Sequence, residues 1–157
     1  MSQKYDDYLT THISNVNKCH EIIFGEELER RHDASKYSDE EYNAYDEYFY
    51  GDDKSDKVYK EFDKAFLHHI HNNSHHWNYW IIVDEDYSKT RTVEIPDTYL
   101  KEMIADWASF AYAKKDPQNL IDWYIDHRDS IIMEENSRKK LENYIELAYE
   151  KLKEYFS

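Results

Sequence analysis

The stretch YDDYLTTHISNVNKCHEIIFGEEL, residues 5–28, decides the fold class. Leu9, His12, Ile13, Val16, His20 and Ile23 recur at intervals of three and four, the spacing of one face of an α-helix. The pattern predicts a helix from about Tyr5 to Leu28, with two imidazoles set among its apolar side chains. Working outward, residues 137–156 repeat the signal, with Leu141, Ile145, Ala148 and Leu152 on one face. Between them, Ser38 and Glu41 read as a capping box that opens a helix ending near Gly51. Ser55 caps a third helix, which buries Val58, Phe62, Ala65, Phe66 and His69. Asp97 caps a fourth, Thr98 to Lys114, and Asp116-Pro117 starts a fifth with proline at its first position. The helical pattern breaks only at Trp80–Val83 and Thr90–Ile95, short β-branched runs joined by DEDYSK, which read as a small hairpin at about 80–95. The fold class is therefore mainly all-α, a helical bundle with a small hairpin, in one domain spanning residues 1–157.

Composition narrows the function. The chain has 157 residues, 34 acidic and 20 basic, for a formal net charge of −14. A field of that sign argues against a long nucleic acid held by its phosphates, and against anionic lipid. Charge this dense could signal disorder, but 16 Tyr, 6 Phe and 4 Trp supply core volume, and only two Gly and two Pro interrupt it. The single cysteine, Cys19, can make no internal disulfide and no cysteine-based zinc motif. No run approaches the length of a membrane helix, and the start MSQKYDDYLTTH lacks an apolar leader segment, so a cytoplasmic location is expected.

Four features carry chemistry. Five of the nine histidines lie between His68 and His76, in LHHIHNNSHHWNYW, where about half a histidine is expected by proportion. A solvated His-rich helix end is the plain alternative. Neutral imidazole, however, is the commonest side-chain ligand of transition metals. Second, His32-Asp33 opens HDASK, with Lys36 one turn on; an imidazole and a carboxylate from adjacent residues can share an ion, and the lysine can meet a phosphate oxygen. Third, His12 interrupts the apolar face of the first helix. Fourth, Asp106 in EMIADWASF shares a stripe with Tyr99, Met103, Phe110 and Ala113, where an acid must be paired or bound to a cation.

In this order (His12, His32-Asp33 with Lys36, His68-His69, Asp106) the chain resembles the HD-domain metal-dependent phosphohydrolase superfamily. More narrowly, HDASK, HHIHNNSHHW and ADWASF are similar to strings in a family of small uncharacterised bacterial and phage proteins. The resemblance spans residues 12–106 and implies an HD-domain-like helical bundle in the cytoplasm of a bacterium or of a phage-infected host. It implies His12, His32, Asp33, His68, His69 and Asp106 as metal ligands, with His20 the alternative to His12. One or two divalent ions would be held, of manganese, iron, cobalt or zinc. Hydroxide formed at the metal would attack a phosphorus atom held by Lys36, and His71, His75 or His76 would protonate the leaving oxygen. The substrate implied is a small phosphate ester or anhydride, nucleotide-like.

A second class of function is a non-enzymatic acidic interaction protein, a DNA mimic or inhibitor, acting through SDEEYNAYDEYFYGDD and the acidic N-terminus. It accounts for the charge and leaves the clustered histidines unexplained.

Overall fold

The computed structural model of the chain describes residues 2–86 and 89–157. Ser2 accepts a hydrogen bond from the Tyr5 N–H and so starts α1, Gln3–Phe24. Gly25 ends that helix in the left-handed region, φ 70°, where a side chain would be strained. The helix therefore stops four residues before the sequence suggests, and Glu26–Leu28 belong to the connection. Helix α2, Tyr42–Tyr50, and helix α3, Asp56–Asn72, pack on each other. Helix α4, Asp97–Lys114, is the central element, packed against α1, against α5, Gln118–His127, and against α6, Glu135–Phe156. Short 3-10 turns occupy Ala34–Tyr37, Trp77–Trp80 and Arg128–Ser130.

The hairpin is shorter than the β-branched runs. Strands β1, Ile81–Ile82, and β2, Arg91–Thr92, pair antiparallel with Ile81 opposite Thr92 and Ile82 opposite Arg91. Trp80 belongs to the preceding 3-10 turn, and Val83 is 79% exposed, so nothing buries a longer ribbon. The Tyr87-Ser88 part of the connecting segment lies outside the described residues.

Three local expectations change. Glu41 does not complete a capping box. The Ser38 hydroxyl donates to the Ser35 carbonyl, α2 begins at Tyr42, and the Glu41 side chain turns inward. Phe66 is 40% exposed, because it lies off the α3 face that buries Val58, Ala65 and His69. Asp97 is the first residue of α4 instead of its cap, and its carboxylate accepts from the Tyr144 hydroxyl.

Two apolar clusters form. One joins α1, α4, α5 and α6 through Val16, Cys19, Ile23, Leu100, Ile104, Ala108, Leu120, Leu141, Ile145 and Leu152. The other joins the start of α1 to α2 and α3 through Tyr5, Leu9, Tyr42, Tyr45 and Ala65. On α1, His12 sits between Leu9 of one cluster and Val16 of the other, so the helix register puts a polar layer at their junction.

Candidate metal centre

The junction layer is built around Asp33. This residue adopts the left-handed conformation, φ 54° and ψ 30°, immediately before the Ala34–Tyr37 turn. A short polar side chain tolerates that region better than most, at a cost of about 1–2 kcal/mol, and such strain collects at functional positions. The conformation leaves His32 fully buried and Asp33 2% exposed, side by side.

The two carboxylate oxygens of Asp33 face two different groups. Oδ2 lies 3.3 Å from His32 Nε2, 4.0 Å from His12 Nε2 and 3.0 Å from Lys36 Nζ. Oδ1 lies 3.1 Å from His75 Nε2 and 3.4 Å from His69 Nε2. Asp106, on α4, closes the first group: its Oδ1 is 3.1 Å from His12 Nε2 and 3.6 Å from His32 Nε2, and its Oδ2 is 3.6 Å from His75 Nε2. Three sets of donors lie within 4.8 Å of one another: Asp33, His69, His75 and His76; His12, His32 and Asp33; and His32, His75 and Asp106. Ligands about 2.0–2.2 Å from a shared ion stand roughly 3–3.5 Å apart at ordinary coordination angles, and the closer pairs here, at 3.1–3.4 Å, already have that spacing. Buried His and Asp groups of this kind could hold a metal ion.

The donor atoms are also unspent. His32 Nε2, Asp33 Oδ1, His75 Nε2 and His76 Nε2 are buried without a hydrogen-bond partner. Orphaned buried polar atoms are uncommon, and several converging on one point fit an ion that would satisfy them together.

Behind the donors stands a set of carboxylates. Glu102 is 3% exposed, and its Oε2 accepts from His32 Nδ1 at 2.8 Å and from His75 Nδ1 at 2.9 Å. Arg30 donates to its Oε1 at 3.0 Å and lies over the Tyr99 ring. Glu41, fully buried, accepts from His69 Nδ1 at 2.6 Å and from His68 Nδ1 at 2.7 Å. The bonds to His32, His75 and His69 fix those imidazoles with Nε2 aimed at the centre, the arrangement by which outer carboxylates orient metal-binding histidines.

Electrostatics follow from this packing. Burial opposes charge on His32, but Asp33 and Asp106 outweigh it and hold the imidazole well above its usual value. Burial likewise opposes charge on His69 and His75, but Asp33 with Glu41 raises the first and Asp33 with Glu102 raises the second. His76 goes the other way: burial, then His75 and His69, push it down to about 3, so it stays neutral. Burial works against ionising Glu102, but the two imidazole N–H groups hold it down at about 2. Burial also opposes charge on Asp33 and Asp106, and the surrounding cations keep both far below the usual carboxylate range. Lys36 is opposed by burial too, and Asp33 and Asp106 raise it.

The sequence-derived site residues thus divide. His12, His32, Asp33, His69 and Asp106 converge. His75 and His76, expected as proton donors, stand instead among the candidate ligands. His68 does not join them: its Nε2 is in no donor set, its Nδ1 is held by Glu41, and a third of its side chain is exposed. Neighbours on a helix point about 100° apart, so His69 facing inward turns His68 aside. His71, two positions further round α3, is exposed and belongs to no donor set. His20 bonds through Nδ1 to the Glu26 carbonyl and is not the substitute for His12. Glu102 was not singled out; its one-turn spacing before Asp106 is the signal that points to it.

The mouth of the centre is marked by its least buried members, Asp106 at 14% and Lys36 at 13% side-chain exposure. Tyr8 stacks on His12 with ring centroids 5.7 Å apart, and Phe110 meets the same imidazole at 5.3 Å. A cavity of about 640 Å³ between α2 and α3 is lined by Asp39, Glu40, Glu47, Asp53 and Glu61 among others, and touches the centre's surroundings at His68.

A family model described as a family of unknown function, DUF5662, matches residues 1–147. The chain belongs to this family. The span that matches the DUF5662 model contains every member of the centre. No curated protein and no solved structure matches the chain. No helix among the described residues is long and apolar enough to cross a membrane.

Proposed function

We propose that this DUF5662 protein is a metal-dependent phosphohydrolase that acts on a nucleotide-like phosphate ester or anhydride, with an HD-domain-like centre. One observation carries the reading: both oxygens of Asp33 face separate histidine groups, with buried donor atoms left unpartnered between them. Imidazole and carboxylate suit manganese, iron, cobalt or zinc, and Asp33 with His12, His32, His69, His75 and Asp106 would hold one or two such ions. Bound there, a divalent ion supplies Lewis acidity, acidifying water and neutralising charge on a phosphoryl oxygen.

The chain's own groups supply the rest. Lys36 keeps its charge beside Asp33 and Asp106 at the mouth, where an ammonium can hold a phosphate oxygen as negative charge grows. Glu102 and Glu41 keep the imidazole ring nitrogens oriented without reaching the substrate. Tyr8 and Phe110 wall the entrance and keep bulk water from His12. An acidic exterior is compatible with a small phosphate, because a bound ion dominates the local field.

The acidic-mimic reading has less to stand on. Within its run, Glu41 is buried against His68 and His69, and Asp46 accepts from the backbone and hydroxyl of Ser2. The experiment is phosphate release from a panel of nucleotides and cyclic nucleotides, with each candidate metal added to chelator-treated protein. Turnover that requires metal and disappears in Asp33→Ala supports the proposal. No turnover by the metal-loaded wild type, or activity surviving in Asp33→Ala, overturns it.

A further inference from the structure

Phe110 has two neighbours of different kinds. One edge meets His12 of the metal centre; the other lines a pocket between α4 and α5, with Trp107, Lys114, Asn119 and Trp123. Its volume is about 250 Å³, below the roughly 300–1,000 Å³ of pockets that enclose whole small molecules. It suits one flat ring system and little more.

The walls are aromatic and braced. Trp107 and Trp123 pack with centroids 4.8 Å apart, and His127 stacks on Trp123 at 4.3 Å. Phe110 is 46% exposed, so its ring is open to a ligand. Among the described residues, the Asn119 amide, the Lys114 ammonium and the two indole N–H groups have no protein partner. The pocket therefore offers stacking surface with unspent donors, and an acceptor on Asn119, at its edge.

Placement links it to the centre. Phe110 lies one turn beyond Asp106 on α4, and one turn rises about 5.4 Å. Asp106 of the mouth and Phe110 of the pocket are thus neighbours along α4, so a molecule with a phosphate at the first and a ring at the second would lie along one face of that helix.

We propose that the α4–α5 pocket binds the nucleobase of the substrate, stacked on Phe110 against the Trp107–Trp123 wall, with Asn119 reading its polar edge. This rests on the phosphohydrolase reading for the position of the phosphate. Base stacking on an aromatic side chain is sequence-tolerant, and the hydrogen bonds at the rim add selectivity.

The test is tryptophan fluorescence titration of metal-loaded full-length protein with AMP, GMP, CMP and UMP, and with ribose 5-phosphate as the base-free probe monitored by calorimetry. The expected result is quenching by at least one nucleotide and tighter binding than ribose 5-phosphate. In Phe110→Ala and in Asn119→Ala, the ratio of nucleotide to ribose 5-phosphate affinity falls about 10-fold. Both side chains are at or near the surface; equal melting temperatures confirm that the fold is kept. A second variant, Trp123→Leu, loses most of the quench. Equal affinities for nucleotides and ribose 5-phosphate, or a ratio unchanged in Phe110→Ala and Asn119→Ala, overturn the base pocket. Metal-dependent phosphate release from the nucleotides, cyclic nucleotides and ribose 5-phosphate is measured alongside: release with no base preference removes the pocket alone, and release from none of them despite base-selective binding removes the hydrolytic reading alone.

Discussion

Replacing Glu102 by glutamine keeps the shape of the residue and removes its charge. Its Oε2 now holds two imidazoles at once, at 2.8 and 2.9 Å, while Arg30 neutralises the other oxygen. An amide has one acceptor oxygen, and its NH₂ group cannot accept from His32 or His75. With the amide oxygen in the place of Oε2, both rings face a neutral acceptor and the NH₂ group presents a donor to Arg30; with the NH₂ group there, both rings lose their acceptor. Removing an outer partner of a metal-binding histidine costs about 10–100-fold in affinity. With two rings affected, the upper end applies, about 100-fold or roughly 2.7 kcal/mol. Without metal the same change leaves two buried imidazoliums short of a counter-charge, a loss of about 3 kcal/mol. For a chain of this size that lowers the melting temperature by about 6–12 °C. The assay is competition against a chelator of known affinity, with calorimetric melting of metal-free protein. Wild-type metal affinity together with a wild-type melting temperature in Glu102→Gln would refute the role assigned to this carboxylate.

Three further outcomes are expected. Lys36→Ala should retain metal and lose about 10²–10³ in kcat, since its role is charge stabilisation; loss of metal along with rate would make it a structural group, and an unchanged kcat would remove it from the chemistry. Metal affinity should rise with pH through neutrality. His32, His69 and His75 have raised values in the metal-free protein, so they carry protons that binding must displace, and that competition fades as pH climbs toward those values; an affinity flat with pH between 6 and 8 would contradict this. Cys19 is fully buried, and burial pushes its thiol up to about 12, so native protein at pH 8 should not react with an aromatic disulfide reagent, while denatured protein should show one thiol per chain. Rapid labelling of the native protein would show the α1–α4–α6 core to be more open than described.

Helical periodicity carries most of the fold. The apolar faces of α1 and α6 are visible because core packing repeats every turn, and the buried apolar residues of α6 are the four that the pattern picks out. Helix ends were less legible. The Ser38–Glu41 spacing matches a capping box, yet His68 and His69 outcompete a backbone N–H for that carboxylate. The same competition explains why the centre was only partly readable. His32, Asp33 and Asp106 stand out by residue type and by local motif. Glu102 does not, since a glutamate in a helix is ordinarily solvated, and its partner His32 is 70 residues away. Which members of HHIHNNSHH face inward depends on the phase of α3 and on the Trp77–Trp80 turn after it. Sequence fixes neither, so His69, His75 and His76 were separable from His68 and His71 only in three dimensions.

The most direct measurement is metal stoichiometry. Protein purified without chelator should be analysed for bound elements, and metal-free protein should be titrated with manganese, zinc and cobalt by calorimetry, for wild type and Asp33→Ala. One or two equivalents of a divalent transition metal per chain, with a raised melting temperature, and neither in Asp33→Ala, is the expected result. Wild-type protein that binds none of these ions, or Asp33→Ala protein that binds them as tightly as wild type, would contradict a metal centre at Asp33.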